Sequence, residues 1–451
     1  MTTATKYKTY SKYKPSGIDW LGDIPTGWEV KRLKNIIEPL QSGGRESESI
    51  NLDGGVLSIG GEHVGWNGEI LLENPRYISR EYYLQMNQGK IKENDVLLVK
   101  DGATIGKTAL IGKSFLEDAA VNEHVFIIRA NNKNTPKYLY YFIISKIGQE
   151  QIFLEMRGSA QPGLNSGFIS KSFLFAPPKD EQKQITDFLD RETAKIDEMV
   201  AKKQKMMALL KEKRQALITH AVTKGLDPKA KMKPSGIDWL GDIPERWQAL
   251  PLKRVVGIKI TDGPHETPEI LDEGVNFISA EAVKNEKINF DLRRGFISEE
   301  LHKLYSKKCK PQKNDIFLIK SGATTGNIAI VEVDFEFSIW SPLALIRADE
   351  KKSQYIFLFY SLLSKLFHDQ VEFSWSYGTQ QNIGMGVIEN LIITLPPYSL
   401  QKEIADYIDH ESAKIDGMMK KVEMQIEKLR EYRQALITSA VTGKIMIKNY
   451  E

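Results

Sequence analysis

The chain has 451 residues, of which 27% are charged and 41% hydrophobic, and its net charge is +3. At roughly 150 residues per domain this length predicts about three structural units, and the composition is that of a folded protein. The single cysteine, Cys309, excludes an intrachain disulfide framework and a Cys-rich zinc module, and it indicates a reducing, cytoplasmic location. The apolar runs fall well short of the ~20 residues that cross a bilayer, so no membrane or secretion segment is expected.

The chain consists of two copies of one unit. The segment KPSGIDWLGDIP occupies residues 14–25 and recurs unchanged at residues 233–244, which is 219 positions later. The segment RQALITHAVT at residues 214–223 returns as RQALITSAVT at residues 433–442, again 219 positions later. A period this long gives each copy room for a globular domain and one further element.

In chain order, the sequence predicts a basic tail, a globular domain, a long helix, a second globular domain and a second long helix. Their bounds are 1–14, 15–176, 177–225, 226–395 and 396–445. The composition of both globular domains is typical of mixed α/β structure. Strands are predicted at residues 95–99, 125–128, 316–319 and 343–346, and helices at residues 137–156 and 354–373.

Each long helix follows a Pro-Pro pair and carries a narrow apolar stripe. At 1.5 Å per residue, the uninterrupted run from residue 181 to 222 makes a rod of roughly 60 Å. Because Glu192 and Lys203 fall within the stripe, neither helix is expected to be stable alone, and each should bury its stripe against the other. The predicted stripe positions are Leu189, Ile196, Met199, Met206, Leu210 and Leu217, then Ile408, Ile415, Met418, Val422, Leu429 and Leu436.

Acidic residues lead and basic residues follow along each long helix. Antiparallel pairing sets the acidic half of one helix against the basic half of the other, so an antiparallel coiled coil is favoured. The helix dipole alone favours the same distribution and is the alternative explanation. Two equivalent antiparallel helices have a two-fold axis between them. The sequence therefore predicts an α+β protein with two mixed α/β domains, separated by the paired helices, and internal pseudo-two-fold symmetry.

Polar, Gly-rich loops with matching contents occur in both globular domains. One occupies residues 100–107 and 320–327, and another occupies residues 157–165 and 376–382. Exposed glycines let a backbone approach a ligand closely, and Lys, Gln, Asn, Ser and Thr side chains bond phosphates and base edges. The alternative is that these loops are hairpin turns without a ligand, although the amides of the second loop exceed what a turn requires.

Several motifs that point to catalysis are incomplete. Residues 102–108 have three residues between the glycines of a phosphate-binding loop instead of four, and the second copy has Asn327 in place of the lysine. In the second Pro-Pro segment, Leu395 replaces the polar residue of the amino-methyltransferase Asp/Asn-Pro-Pro-Tyr/Phe element. The seven histidines lack a metal-binding spacing. The sequence therefore predicts no catalytic site in this chain.

Together, the two divergent domains, the two near-identical helices ending in RQALIT and the repeated KPSGIDWLGDIP segment resemble the specificity subunit of type I restriction-modification enzymes. The segments GSAQPGLN at 158–165 and DGPHETP at 262–268 also resemble elements of the target-recognition domains of that family. The resemblance implies that each globular domain recognises one half of a split, asymmetric double-stranded DNA target. It also implies that the helices set the gap and dock two methyltransferase subunits, which restriction subunits then join. No cofactor is implied in this chain, and S-adenosylmethionine, ATP and magnesium are expected on the partner subunits.

The resemblance and the loop chemistry together suggest DNA contacts and partner contacts. Each direct base contact is expected to contribute roughly 1–3 kcal/mol of discrimination. The candidate DNA contacts are Lys100, Thr104, Lys107, Arg157, Ser159, Gln161, Asn165, His265, Thr267, Lys320, Thr324, Thr325, Tyr377, Thr379, Gln380, Gln381 and Asn382. The candidate partner contacts on the long helices are Met199, Met206, Met207, Met418, Met419 and Met424.

Two other functions fit parts of the sequence. A non-catalytic interaction scaffold would bind proteins with both globular domains and use the helices as a spacer. The salt dependence of duplex DNA binding separates that function from DNA recognition. An enzyme with its own methyltransferase or nuclease site is the third hypothesis, and methyl transfer by the isolated chain would support it.

Overall fold

The computed structural model describes residues 7–18, 20, 22–45, 55–113, 118–158, 162–375 and 381–447. In the first half the strands are β1 (Tyr13–Pro15), β2 (Asp23–Pro25), β3 (Glu29–Arg32), β4 (Gln41–Ser42), β5 (Val56–Ile59), β6 (Arg76–Ile78), β7 (Val96–Val99), β8 (Thr108–Leu110), β9 (Ala119–Val121), β10 (Val125–Ile128), β11 (Met156–Arg157), β12 (Gly163–Leu164) and β13 (Phe173–Ala176). The helices are α1 (Arg80–Gln85), α2 (Pro136–Ile144), α3 (Lys146–Glu155), α4 (Phe168–Lys171) and α5 (Lys179–Lys224).

The second half repeats most of this order of elements. Its strands are β14 (Met232–Pro234), β15 (Asp242–Pro244), β16 (Gln248–Pro251), β17 (Thr261–Asp262), β18 (Val275–Ile278), β19 (Val283–Lys284), β20 (Lys287–Ile288), β21 (Gly295–Ile297), β22 (Ile316–Ile319), β23 (Ile328–Ile330), β24 (Ser338–Ile339), β25 (Leu343–Ile346) and β26 (Ile392–Leu395). Its helices are α6 (Glu299–Ser306), α7 (Tyr355–Leu363), α8 (Lys365–Phe373), α9 (Met385–Asn390) and α10 (Tyr398–Val441). Within the described residues, every helix is too short or too polar to span a bilayer.

A four-stranded antiparallel sheet forms the centre of each globular domain. Its strand order is β4-β10-β7-β8 in the first domain and β17-β25-β22-β23 in the second. The four predicted strands are its central strands, and they are buried along their whole length because both faces are covered. A three-stranded sheet accompanies each, in the order β6-β5-β9 and β21-β18-β24. The repeat in sequence is therefore a repeat in topology.

The sequence predicts one continuous helix at residues 137–156 and another at residues 354–373, and both predictions are wrong. Each is broken at one serine, Ser145 or Ser364, whose backbone is extended with ψ of 159° or 146°. The hydroxyl oxygens accept hydrogen bonds from the backbone N–H of Gly148 and Phe367, both at 3.2 Å, and so begin α3 and α8. Apolar periodicity continues across each break, which is why the sequence pattern predicts one helix.

Contacts divide the chain into two compact units. The first comprises residues 1–204 and 424–451, and the second comprises residues 205–423. Each unit therefore contains one globular domain and parts of both long helices. The domain bounds inferred from the sequence stay a prediction.

In the first unit, the N-terminal part of α5 packs against the C-terminal part of α10. Leu189 and Leu436 are fully buried in the same core. Arg433 donates hydrogen bonds of 2.9 and 3.2 Å to the two carboxylate oxygens of Asp197. The two helix segments therefore run antiparallel and their charges are complementary.

The second unit contains the equivalent packing, with the roles of the helices exchanged. Ile218 near the end of α5 and Ile408 near the start of α10 share one buried core. Arg214 Nε lies 3.1 Å from Asp416 Oδ1, and these residues are the repeat equivalents of Arg433 and Asp197. The predicted antiparallel coiled coil is confirmed in both units.

The stripe buried along each helix follows heptad spacing. On α5 it comprises Leu189, Thr193, Ile196, Val200, Lys203, Met207, Leu210 and Arg214, which are buried or half-buried.

The prediction that Met199, Met206 and Met418 belong to the stripe is wrong, because these side chains are 43%, 46% and 41% exposed. Thr193 and Lys203 are polar, so the heptad pattern is not apparent from the sequence. The predicted Met199, Met206 and Met418 each lie one residue before the position that is in the stripe, which is Val200, Met207 or Met419. Lys203 is tolerated because its ammonium donates to Gln425 Oε1 at 2.6 Å.

A buried ion pair at the start of β22 should be essential for the stability of the second unit. Asp315 is 1% exposed, and its carboxylate accepts hydrogen bonds from Arg347 Nε and Nη2 at 2.6 and 2.7 Å. We expect Asp315→Asn to reduce the unfolding free energy by about 3–5 kcal/mol, since it leaves a guanidinium with an uncompensated charge. Urea unfolding followed by tryptophan fluorescence measures the loss.

The matched control is Asp369→Asn on α8, which removes a more exposed i,i+4 pair with Lys365. That change should cost no more than about 0.5 kcal/mol. Equal effects of the two substitutions would contradict a special role for Asp315.

Candidate nucleic-acid interface

The loops of each four-stranded sheet meet at one end of the sheet. In the second unit, β25 runs antiparallel to both β17 and β22, so the ends of β17 and β22 lie beside the start of β25. The backbone N–H of Lys320, just after β22, donates to Pro342 O at 2.8 Å. The segments that follow Asp262 and Lys320 therefore lie side by side.

The two Gly-rich loops predicted from the sequence also come together in both units. In the second unit, Gly322 N donates to Gln381 O at 3.0 Å and Ile383 N donates to Lys320 O at 2.8 Å. The first unit repeats this arrangement. There Gly102 N donates to Pro162 O at 3.2 Å, and Leu164 N donates to Lys100 O at 2.8 Å. In each unit, the described residues of two polar loops that are distant in sequence therefore lie side by side.

The glycines of the first loop are explained by backbone geometry. Each loop connects two hairpin strands, β7 to β8 or β22 to β23. Gly102 and Gly322 have φ of +79° and +106°, and the space where a Cβ would lie is open. Glycine is therefore required for the conformation of the turn and not for a close approach. A ligand would therefore contact the exposed side chains of these loops.

A carboxylate surrounded by two lysines and a histidine organises the interface in the second unit. Asp262 is 5% exposed and lies at the end of β17. Its oxygens are 2.5 Å from Lys308 Nζ, 3.0 Å from His265 Nε2 and 3.3 Å from Lys320 Nζ. The two lysines outnumber the single carboxylate, so this cluster carries a net positive charge.

The segment after Asp262 is fixed in place by close packing. A Cβ on Gly263 would lie 1.9 Å from Ile339 O, so only glycine fits there. Trp340 Nε1 donates to Glu266 O at 3.1 Å, and the guanidinium of Arg294 lies 4.0 Å from the centroid of the Trp340 ring. Lys308, Arg294 and Trp340 were not predicted from the sequence, because they come from separate segments that only the fold brings together.

The first unit has the same backbone frame with different side chains. Gly43 corresponds to Gly263, and a Cβ there would lie 1.6 Å from Val121 O. Ser42, at the end of β4, corresponds to Asp262 at the end of β17. The first cationic side chain after Ser42 in the sequence is Arg45, which is 83% exposed and pairs with Glu123 at 3.0 Å. The two interfaces thus share a frame and differ in chemistry.

The predicted DNA contacts differ in accessibility. The exposed residues are Arg157, Asn165, His265, Thr267, Thr324, Gln381 and Asn382. The half-buried residues are Lys100, Thr104 and Lys107, with the Lys100 and Lys107 ammonium groups 4.9 and 5.8 Å from the ring centroids of Phe126 and Trp66. Ser159, Gln161, Tyr377, Thr379 and Gln380 lie outside the described residues.

Lys320 and Thr325 require correction as direct contacts, since each is 9% exposed. The Lys320 ammonium faces Asp262, and Thr325 Oγ1 donates to Gly322 O at 2.6 Å. Both side chains therefore support the loops and are not available to solvent.

The methionines predicted as partner contacts separate into two groups. Met199, Met206, Met418 and Met424 are 41–47% exposed, whereas Met207 and Met419 are half-buried in the heptad stripe. The exposed group lies outside the stripe between the helices. In the part of the chain that the structure describes, no group of three or more His, Cys, Asp or Glu side chains is arranged to hold a metal ion.

The Asp262 cluster should make the stability of the second unit depend on pH. Burial alone disfavours the Asp262 carboxylate, but its partners Lys308 and Lys320 outweigh burial and lower its pKa below the ordinary 3.8. Such a carboxylate stabilises the fold above the unfolded-state pKa, and the contribution is lost as pH falls through the folded-state value. We expect Asp262→Asn to cost about 1–3 kcal/mol at pH 7. The difference from the parent should shrink as the pH falls below about 4.

Thermal unfolding of the parent and the variant between pH 7 and pH 2.5 measures this difference. Asp334→Asn, which breaks the exposed pair with Lys313, is the control and should show a small effect. A loss for Asp262→Asn that is constant over the whole pH range would contradict the role of the carboxylate charge.

Comparison with known proteins gives consistent matches. The family model described as type I restriction modification DNA specificity domain matches residues 25–206 and again residues 244–428. The MjaVIII specificity subunit of a type I restriction enzyme from Methanocaldococcus jannaschii is 23% identical over 430 residues, which cover 94% of this chain and 95% of that protein. The EcoBI specificity subunit of Escherichia coli is 26% identical, covering 62% of this chain and 60% of its own length.

A solved structure from work on complex assembly and conformational transition of the type I R-M system has a similar fold. Its TM-score is 0.68 at 17% identity, and the match covers 94% of this chain and 99% of that one. At this identity the likeness concerns the fold alone.

Proposed function

Because the chain belongs to the family of type I restriction-modification DNA specificity domains, we propose that it is the sequence-recognition subunit of such a complex. Each globular domain binds one half of a bipartite, asymmetric duplex target. The paired long helices dock methyltransferase subunits, through which restriction subunits join.

One observation carries this proposal: the two loop clusters share a frame and differ in their side chains. Gly43 and Gly263 make equivalent close approaches to a carbonyl oxygen, yet Ser42 precedes one and Asp262 precedes the other. Two different half-sites require such a combination, in which a common frame positions the loops and different groups contact the bases. Outside the heptad stripe, the exposed Met199 and Met418 recur at equivalent positions of the two long helices, as a partner that binds twice would require.

The exposed and half-buried groups suit both kinds of DNA contact. Lys107 and Arg157 are assigned to phosphates, which position the protein without reading sequence. Gln381 and Asn382 carry amides that can bond an adenine edge bidentately. Residues Ser159, Gln161, Tyr377, Thr379 and Gln380 belong to the same loops and stay proposed contacts.

Methyl transfer and cleavage are assigned to the partner subunits. S-adenosylmethionine, ATP and magnesium would be bound there, and this chain would supply recognition without catalysis. The exposed methionines of the helices support docking, because flexible, polarizable side chains adapt to an apolar partner surface.

The phosphate contacts predict the salt dependence of DNA binding. For Lys107→Ala we expect weaker binding to all duplexes alike, and a slope of log affinity against log salt that is smaller by about 1. Lys113→Ala is the control, since Lys107 precedes β8 and Lys113 follows it at the opposite end of the strand. Fluorescence anisotropy with a labelled duplex at several salt concentrations measures both. An affinity of the parent that is insensitive to salt would favour the protein-binding scaffold.

The division of the target predicts that a loop variant affects one half-site. Gln381→Ala should reduce discrimination at one base pair by about 1–3 kcal/mol and leave the other half-site unchanged. The matched control is Gln312→Ala. Gln312 is exposed and precedes β22, whereas Gln381 lies beside the loop that follows this strand. Methylation rates on duplexes with single substitutions in either half-site provide the measurement. A loss spread equally over both half-sites would contradict the assignment of one domain to each half.

A further inference from the structure

Arg214 joins three elements of the second unit. Its Nη1 and Nη2 donate to the two carboxylate oxygens of Glu286 at 2.6 and 2.8 Å, and its Nε lies 3.1 Å from Asp416 on α10. The side chains of Arg214 and Glu286 are 18% and 32% exposed. Burial disfavours the charged guanidinium, but Glu286 and Asp416 outweigh it and raise the pKa of Arg214 above its ordinary value. A bidentate pair thus connects the long helix α5 to the hairpin β19–β20 of the globular domain.

The hairpin turn is a costly place for a glutamate. Asn285 and Glu286 lie between β19 and β20 with φ of +50° and +67°. A two-residue turn with both central residues at positive φ normally carries Asn-Gly, because residues other than Gly, Asn and Asp are strained there. The geometry of the turn therefore does not explain why a glutamate occupies position 286. The ion pair with Arg214 explains it.

The first unit lacks the strained turn at this place and uses its arginine differently. Arg433, the repeat equivalent of Arg214, makes its bidentate pair with Asp197 on α5. The corresponding turn, within residues 64–70, has Gly68 at φ +87°. The link from helix to hairpin is thus a feature that distinguishes the second recognition domain from the first.

Several attachments of domain to helix are common to both units, among them two hydrogen bonds at the serine breaks. In the second unit, Gln215 Nε2 donates to Leu363 O at 2.7 Å, and Lys365 N donates to Thr219 Oγ1 at 2.9 Å. Their equivalents in the first unit are Gln434 to Ile144 at 2.9 Å and Lys146 to Thr438 at 3.0 Å. Both attachments are at the break between two short helices, in the part of the domain whose core includes residues of the long helices, whereas Val283 of the hairpin belongs to a separate core. The Arg214–Glu286 pair adds a separate attachment on a different part of the domain.

We propose that Arg214 and Glu286 are positioning residues that fix the tilt of the second recognition domain on its helix pair, and thereby set how strictly the complex selects the gap between half-sites. This inference rests on the proposed function. It assigns gap selectivity to a pair that contacts neither bases nor phosphates.

The test uses the complex with its methyltransferase partner and duplexes that carry the bipartite motif found by methylation sequencing of a host expressing that complex. Methylation rates are compared for the native gap and for gaps one base pair shorter or longer. For Glu286→Gln, which keeps the shape of the side chain and removes its charge, preference for the native gap should fall by about tenfold, the equivalent of a charged hydrogen bond. The rate at the native gap should stay within about twofold of the parent.

Asn285→Gly is the matched control, because glycine also adopts the positive φ of this turn and the change leaves the ion pair in place. It should keep the gap preference of the parent. Arg214→Lys, which keeps the charge and loses the bidentate geometry, should lose the preference as Glu286→Gln does. Thermal unfolding of each variant verifies that the complex is folded.

The outcomes separate the inference from the function on which it rests. A parent complex with no motif or no gap preference refutes the proposed function. A parent with a gap preference that Glu286→Gln and Arg214→Lys both retain overturns the inference alone. Equal slowing on all gaps by both variants also overturns it, because that is the effect of a merely structural pair.

Discussion

The burial of each long helix against the other is the interaction on which the rest of the structure depends. Thr193 and Lys203 interrupt the apolar stripe of α5, so the helix depends on packing of this stripe against a partner rather than on local propensity. Antiparallel pairing resolves this by placing Arg433 against Asp197 and Arg214 against Asp416. Because the globular cores include residues of both helices, the folding of each domain is coupled to the pairing.

Duplication explains why the two halves of the chain share some structural features and differ in others. The heptad stripe, the serine breaks at Ser145 and Ser364 and the glycines at Gly43 and Gly263 recur, since each is demanded by packing or backbone geometry that both halves share. Side chains at the loop ends are under no such constraint, and there Ser42 stands where the other half has Asp262. Side-chain chemistry can therefore differ at the loops while the frame and the helix pair stay the same.

The sequence predicts those features whose causes are local or periodic. The repeat, the central strands, the long helices and their antiparallel pairing follow from hydrophobic pattern and charge order. The breaks at Ser145 and Ser364 do not, because a serine within an apolar run is compatible with one continuous helix. Lys320 is expected at the surface of a polar loop and is instead buried, since Asp262 from another loop approaches it. Lys308 and Arg294 escape prediction for the same reason, as their neighbours are distant in sequence.

Methylation sequencing of a host that expresses this chain with its methyltransferase partner is the most direct test of the central claim that two domains with one frame bind two different half-sites. The account predicts a single methylated motif with two specified blocks of different sequence, separated by a fixed number of unspecified base pairs. A continuous motif, or no sequence-specific methylation by a complex that assembles, would contradict it.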